Sequence, residues 1–117
     1  MTPILKTVIH PVSDLAQAKA LYATLLGSEP ILDEAYYVQF NTATQEVGLD
    51  PHGHSKGMTG PVNYWHVADL ADTVARLLTA GATAQQPVTD VGGRLIASVT
   101  DADGNVIGLL QAAQQEG

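Results

Sequence analysis

Histidine and acid pairs are where chemistry could start. Four histidines are present. His52 and His54 stand two apart in Asp50-Pro-His-Gly-His-Ser55. With Asp50 they could form a loop ligand set for a divalent metal, because imidazole and carboxylate suit such ions. His66 alternates with Trp65 and shares strand parity with Tyr64 and Val62. It is the candidate catalytic residue, able to donate or accept a hydrogen bond or act as a general base. His10 reads as structural. Tyr36 and Tyr37 open a strand, and a tyrosine in a pocket offers a flat apolar surface to a ring ligand. Arg94, after Gly92-Gly93, is a lone cation at a strand entrance that could meet an anion. There is no glycine-rich phosphate loop before a helix, no Gly-x-Ser-x-Gly elbow and no basic cluster.

These residues must be held by a small scaffold. The chain has 117 residues, enough for one compact domain. No cysteine is available for disulfides, thiolate ligands or a thiol nucleophile, which fits a cytoplasmic protein. No apolar run reaches the roughly 20 residues of a membrane span, and no secretory signal is expected. Only five Lys and Arg stand against twelve Asp and Glu, a net charge of −7. A nucleic-acid partner would need a basic face. The acidity keeps the chain soluble and favours a neutral or cationic ligand.

The elements follow from spacing. Leu5 to Val12 is a strand, and Ser13-Asp14 caps a helix whose apolar face is Leu15, Ala18, Leu21, Tyr22, Leu25 and Leu26. Gly27 ends it. Strands follow at Tyr36 to Phe40 and Glu46 to Asp50, and Pro51 to Pro61 is a loop. The series then restarts: strand Val62 to Val67, helix from Asp69 to Gly81, extended Ala82 to Val88, and a hairpin turning at Asp101-Ala-Asp-Gly-Asn105. Val12-Ser-Asp-Leu15 and Val67-Ala-Asp-Leu70 are 55 residues apart, and Val47-Gly-Leu49 and Ile107-Gly-Leu109 are 60 apart. Two short matches in the same order mark a duplicated unit. The chain is thus a single domain of two modules, about 1–52 and about 61–117, joined by a linker at about 53–60.

A doubled β-α-β-β-β unit with Leu21-Tyr22, Leu26-Gly27, Ala80-Gly-Ala82 and the Asp101-Ala-Asp-Gly-Asn105 turn resembles the vicinal oxygen chelate superfamily, which includes glyoxalase I, extradiol dioxygenases and bleomycin resistance proteins. The resemblance implies an α+β fold: two βαβββ modules forming curled mixed β-sheets with helices on the outside. It also implies a homodimer with a ligand cup. In metal-dependent relatives, His and Glu ligands sit at four strand positions. Those positions fall on Thr7, Gly48, Val62 and Gly108 here. None is a His or a carboxylate, so no metal and no cofactor is expected.

The resemblance and strand parity together imply a ligand-binding set. The first module would give Tyr37, Gln39, Gly48 and Asp50, and the second Tyr64, His66, Arg94, Ser98 and Gly108. The two glycines read either as openings of the cavity or as aids to sheet curvature. The expected function is metal-free binding of a small, partly apolar or aromatic molecule in the cup between the sheets, for sequestration or sensing. The competing expectation is a glyoxalase-like lyase or isomerase, or a dioxygenase relative, using a divalent metal or His66 as base. A scaffold with a filled cavity is the third.

Overall fold

A computed structural model describes residues 2–113 of the chain. By internal contacts the chain forms two units. One runs from Lys6 to Val62, and the other gathers the remaining described residues, 2–5 and 63–113.

The first unit is built on β1 (Ile4–Pro11), α1 (Leu15–Leu26), β2 (Leu32–Glu34), β3 (Tyr37–Asn41) and β4 (Glu46–Asp50). Its strand order is β2-β3-β4-β1, with β1 parallel to β4 and the others antiparallel. Asp14 begins α1 by accepting the N–H of Gln17 at 3.0 Å, and Gly27 ends it at φ 66°. Only glycine adopts that left-handed turn without strain, which is why the helix stops there. Val38, Phe40 and Leu49 are fully buried on the face covered by α1, packed with Ala18, Leu15, Tyr22 and Leu26. Leu21 and Leu25, expected on that apolar face, are exposed instead, because three- and four-residue spacing over so many leucines spans more of the helix than one sheet covers. His10 takes the same face, its ring centroid 5.2 Å from that of Tyr22. Burial pushes the His10 pKa below its ordinary value, because the charged form loses water there.

A loop follows β4, closing on one short 3₁₀ turn, His54–Lys56. Gly53 is buried in it: an added Cβ would lie 2.6 Å from Pro11 Cβ.

The second unit repeats the order: β5 (Val62–His66), α2 (Leu70–Thr79), β6 (Thr83–Val91), β7 (Arg94–Thr100) and β8 (Val106–Gln111). Its strand order is β5-β8-β7-β6, with β5 parallel to β8. Asp69 caps α2 through the N–H of Asp72 at 3.1 Å. Gln111 Oε1 accepts the N–H of buried Leu70 at 2.8 Å, tying the helix start to β8. Leu70, Ala97 and Leu109 form the core under α2. β6 shifts register at Ala84/Gln86 and again at Gln86/Thr89, and such bulges bend a strand and raise its twist. The β7–β8 turn is held by Asp101, which accepts the N–H of Asp103 and of Asn105 at 2.9 Å each. The Asn105 side chain and backbone bonds hold the Asp101 carboxyl below the usual carboxylate range.

The architecture is therefore α+β, two βαβββ modules, each a mixed sheet with one helix on its outer face. The expected order of elements holds throughout, with β2 as a short strand that the sequence pattern did not single out. No helix among the described residues is long and apolar enough to cross a membrane. Alternation with Tyr64 and His66 would make Trp65 core, packed under α2. It shares the helix side with Leu109 by register, yet it is 38% exposed rather than core.

Candidate functional site

Each sheet has one face under its helix and one face free of it, and register assigns every strand residue to one or the other. In the first module Gly48 stands opposite Ile9 on one side and Gln39 on the other. The helix-free face therefore carries Thr7, Ile9, Tyr37, Gln39, Glu46, Gly48 and Asp50. Tyr37, Gln39, Gly48 and Asp50 were all expected there, and all share it. Three polar side chains on it are buried: Thr7, Gln39 and Asp50.

These polar groups are satisfied by one another, as burial demands. Thr7 Oγ1 donates to Glu46 Oε1 at 2.8 Å, and Lys6 Nζ lies 4.0 Å from the other oxygen of that carboxylate. Gln39 Nε2 donates to Asn41 Oδ1 at 2.9 Å, and Tyr37 OH reaches Gln39 Oε1 at 3.5 Å. Lys56 Nζ donates to Asp50 Oδ2 at 2.8 Å, while the His52 N–H donates to Asp50 Oδ1 at 2.8 Å. Among the described residues no buried side-chain polar atom lacks a partner.

The second module places its set on the equivalent face. Gly108 faces Tyr64 on β5 and Ser98 on β7. His66, opposite Leu110, and Arg94, at the start of β7, share that face by parity and are half-buried. Tyr64 and Ser98 are buried, and Ser98 Oγ donates to Gln85 Oε1 at 2.7 Å. An open depression of about 560 Å³ at the start of α2 is lined by Asp69, Asp72, Arg76 and neighbours, and includes none of the expected site residues.

The glycines correct the sequence reading. Neither opens a cavity. At Gly48 an added Cβ would overlap the Tyr37 hydroxyl, with the ring Cζ at 2.7 Å and Cε1 at 2.8 Å. At Gly108 it would lie 2.7 Å from the Asn63 carbonyl oxygen and 2.8 Å from Tyr64 Cδ2. Each glycine makes room for a tyrosine ring laid across the strand, an aromatic filling of the space a side chain would occupy. The two modules reach this by different routes. Tyr64 sits directly opposite Gly108, whereas Tyr37 covers Gly48 from the diagonal position on β3.

The donor set of a divalent metal does not fit these positions. Thr7 spends its hydroxyl on Glu46, Val62 is a buried aliphatic side chain, and the two glycines lie under rings. Asp50, His52 and His54 do not come together either. Asp50 is held by Lys56, both histidines are exposed, and among the described residues no three His, Cys, Asp or Glu side chains gather to hold an ion. Sequence reasoning missed Glu46, Gln85 and Lys56. Glu46 was legible, sharing parity with Gly48 and Asp50. Lys56 had no local signal beyond being a cation near Asp50 in a glycine-rich loop.

Paired βαβββ modules, each with a polar and aromatic set on its helix-free face, define a class of duplicated α+β protein. The chain belongs to the Glyoxalase/Bleomycin resistance protein/Dioxygenase superfamily, whose model matches residues 4–109. No curated protein sequence matches it. Among solved structures it is similar to one described as an NAD-dependent benzaldehyde dehydrogenase from Legionella pneumophila (TM-score 0.73, 18% identity, 90% of this chain and 96% of that one). It is also similar to a superfamily member from Vibrio splendidus (TM-score 0.70, 14% identity, 95% and 100%). A third is methylmalonyl-CoA epimerase from Mycobacterium tuberculosis (TM-score 0.67, 21% identity, 94% and 88%). At these identities the likeness is one of fold, and function has to be argued from the site.

Proposed function

We propose that this protein is a metal-free member of the superfamily that binds a small, partly apolar or aromatic molecule against the helix-free faces of its sheets, for sequestration or sensing. One observation carries the reading. The two glycines at family metal positions are each covered by a tyrosine ring, Tyr37 over Gly48 and Tyr64 over Gly108. A ring that replaces a metal ligand changes the chemistry of the face. It offers stacking and one hydroxyl instead of a Lewis acid. The polar groups beside the rings, Gln39 and Ser98, would fix orientation, as a few placed polar groups do in apolar sites. The protein would act as a homodimer in the cytoplasm, without a cofactor.

The test joins metal content to melting behaviour. Purified protein is assayed for bound metal and melted before and after chelator, then with added Zn²⁺, Ni²⁺, Mn²⁺ or Fe²⁺. No stoichiometric metal and no shift are expected. A metal bound at about one per chain that raises Tm through linkage would overturn the reading. So would turnover of a carbonyl or thioester substrate that is lost in His66→Ala while the fold survives.

A further inference from the structure

All five Lys and Arg side chains of this chain are committed. Lys6, Lys19, Lys56 and Arg76 lie within 4.0 Å of Glu46, Asp33, Asp50 and Asp72 respectively. Arg94 is engaged as well. Among the described residues an anionic ligand therefore finds no Lys or Arg that does not first have to leave a partner, while a net charge of −7 draws cations in.

Lys19–Asp33 and Arg76–Asp72 are exposed on both sides. In Lys6–Glu46 the carboxylate is 14% exposed, but Thr7 Oγ1 donates to it at 2.8 Å and the lysine lies 4.0 Å away. The remaining pair has a buried carboxylate whose side-chain donor is the lysine itself, at 2.8 Å. In Lys56–Asp50 the carboxylate side chain is 9% exposed and the lysine 54%. A buried anion is thus served by the tip of a wet, flexible stem. The anion lies on the helix-free face, two residues along β4 from Gly48, which puts it about 7 Å from the glycine that carries the Tyr37 ring. The backbone of Lys56 is held independently, its N–H donating to the carbonyls of His52 and Gly53. The ammonium can therefore swing into solvent by side-chain rotation with the loop left in place.

We infer that Asp50 is the receptor for a protonated amine on the ligand, and that Lys56 occupies that place until the ligand's ammonium displaces it. The inference rests on the ligand-binding reading above and narrows it. The ligand class is an apolar or aromatic body carrying an ammonium about 7 Å from its ring.

The probes are 4-phenylbutylammonium and its neutral counterpart 4-phenylbutanol, titrated calorimetrically at fixed ionic strength. Wild type, Lys56→Met and the double variant Lys56→Met with Asp50→Asn are compared. Removing the internal competitor should tighten ammonium binding at least tenfold and leave the alcohol unchanged. The double variant should bind both probes alike. Should Lys56→Met alone fail to fold, the double variant, with both charges removed, keeps the test: wild type must still bind the ammonium more tightly than it does. Equal affinity for the two probes in wild type and Lys56→Met overturns the role of Asp50 while leaving a ligand site standing. No binding of either probe to any variant overturns the role of Asp50 and the ligand-binding reading together.

Discussion

Substituting alanine at the two equivalent glycines should separate them. At Gly108 the new methyl meets the Asn63 carbonyl at 2.7 Å and the Tyr64 ring at 2.8 and 2.9 Å. The carbonyl is backbone of the neighbouring strand and cannot move without breaking the ladder. Overpacking of this kind costs about 1–3 kcal/mol. Against it stands about 0.5–1 kcal/mol regained because alanine has less freedom to lose than glycine. The net loss for Gly108→Ala is up to about 2.5 kcal/mol, with the rigid carbonyl placing it toward the upper end, a fall in Tm of up to roughly 10 °C for a chain this size. At Gly48 the three nearest atoms all belong to the far end of Tyr37, a half-buried side chain that can swing aside. Gly48→Ala should therefore cost no more than about 1 kcal/mol. Truncating Tyr37→Ala should remove that clash, so the pair should couple by at least about 0.5 kcal/mol in a double-mutant cycle. Tyr64→Ala should not rescue Gly108→Ala, because the Asn63 carbonyl stays. Urea melts of the single and double variants provide the assay. Equal losses at the two glycines, or full rescue of Gly108→Ala by Tyr64→Ala, would refute the idea that one glycine yields to a side chain and the other to backbone.

Two further expectations concern the scaffold. The folded pKa of His10 is lowered by burial from 6.5, so the unfolded chain takes up the proton first. Stability from this residue is present above that value and is lost as pH falls through it toward the lower folded value. His10→Gln should flatten the difference in stability between about pH 8 and about pH 5, read by urea melts against wild type. Gln111→Leu leaves the N–H of fully buried Leu70 without its acceptor. The loss should be about 1–3 kcal/mol, with faster amide exchange confined to the start of α2.

What the sequence made legible were features set by neighbours in the chain. Asp14 and Asp69 cap their helices because the bond reaches only three residues on. Gly27 stops α1 through its own φ. Alternation pairs Tyr37 with Gln39 on β3 and Gly48 with Asp50 on β4, and the family resemblance was needed to say which faces the two pairs share. The family pattern pointed to Gly48 and Gly108 but could not say what filled the space above them. That depended on which neighbouring strand supplied the ring, a matter of sheet order. The commitment of Asp50 to Lys56 needed the loop to turn back on itself. Alternation put Trp65 on the helix side but does not encode how much of that side is covered, and the residue is 38% exposed.

The ring-over-glycine arrangement has a consequence for building a metal centre into this scaffold. A carboxylate placed at residue 48 would meet the far end of Tyr37, and one placed at 108 both Tyr64 and the Asn63 carbonyl. The first module can therefore be opened by truncating a single side chain, while the second would need its backbone moved. The two halves of this duplicated fold are not interchangeable templates: a ligand set designed symmetrically would be accepted by one and refused by the other.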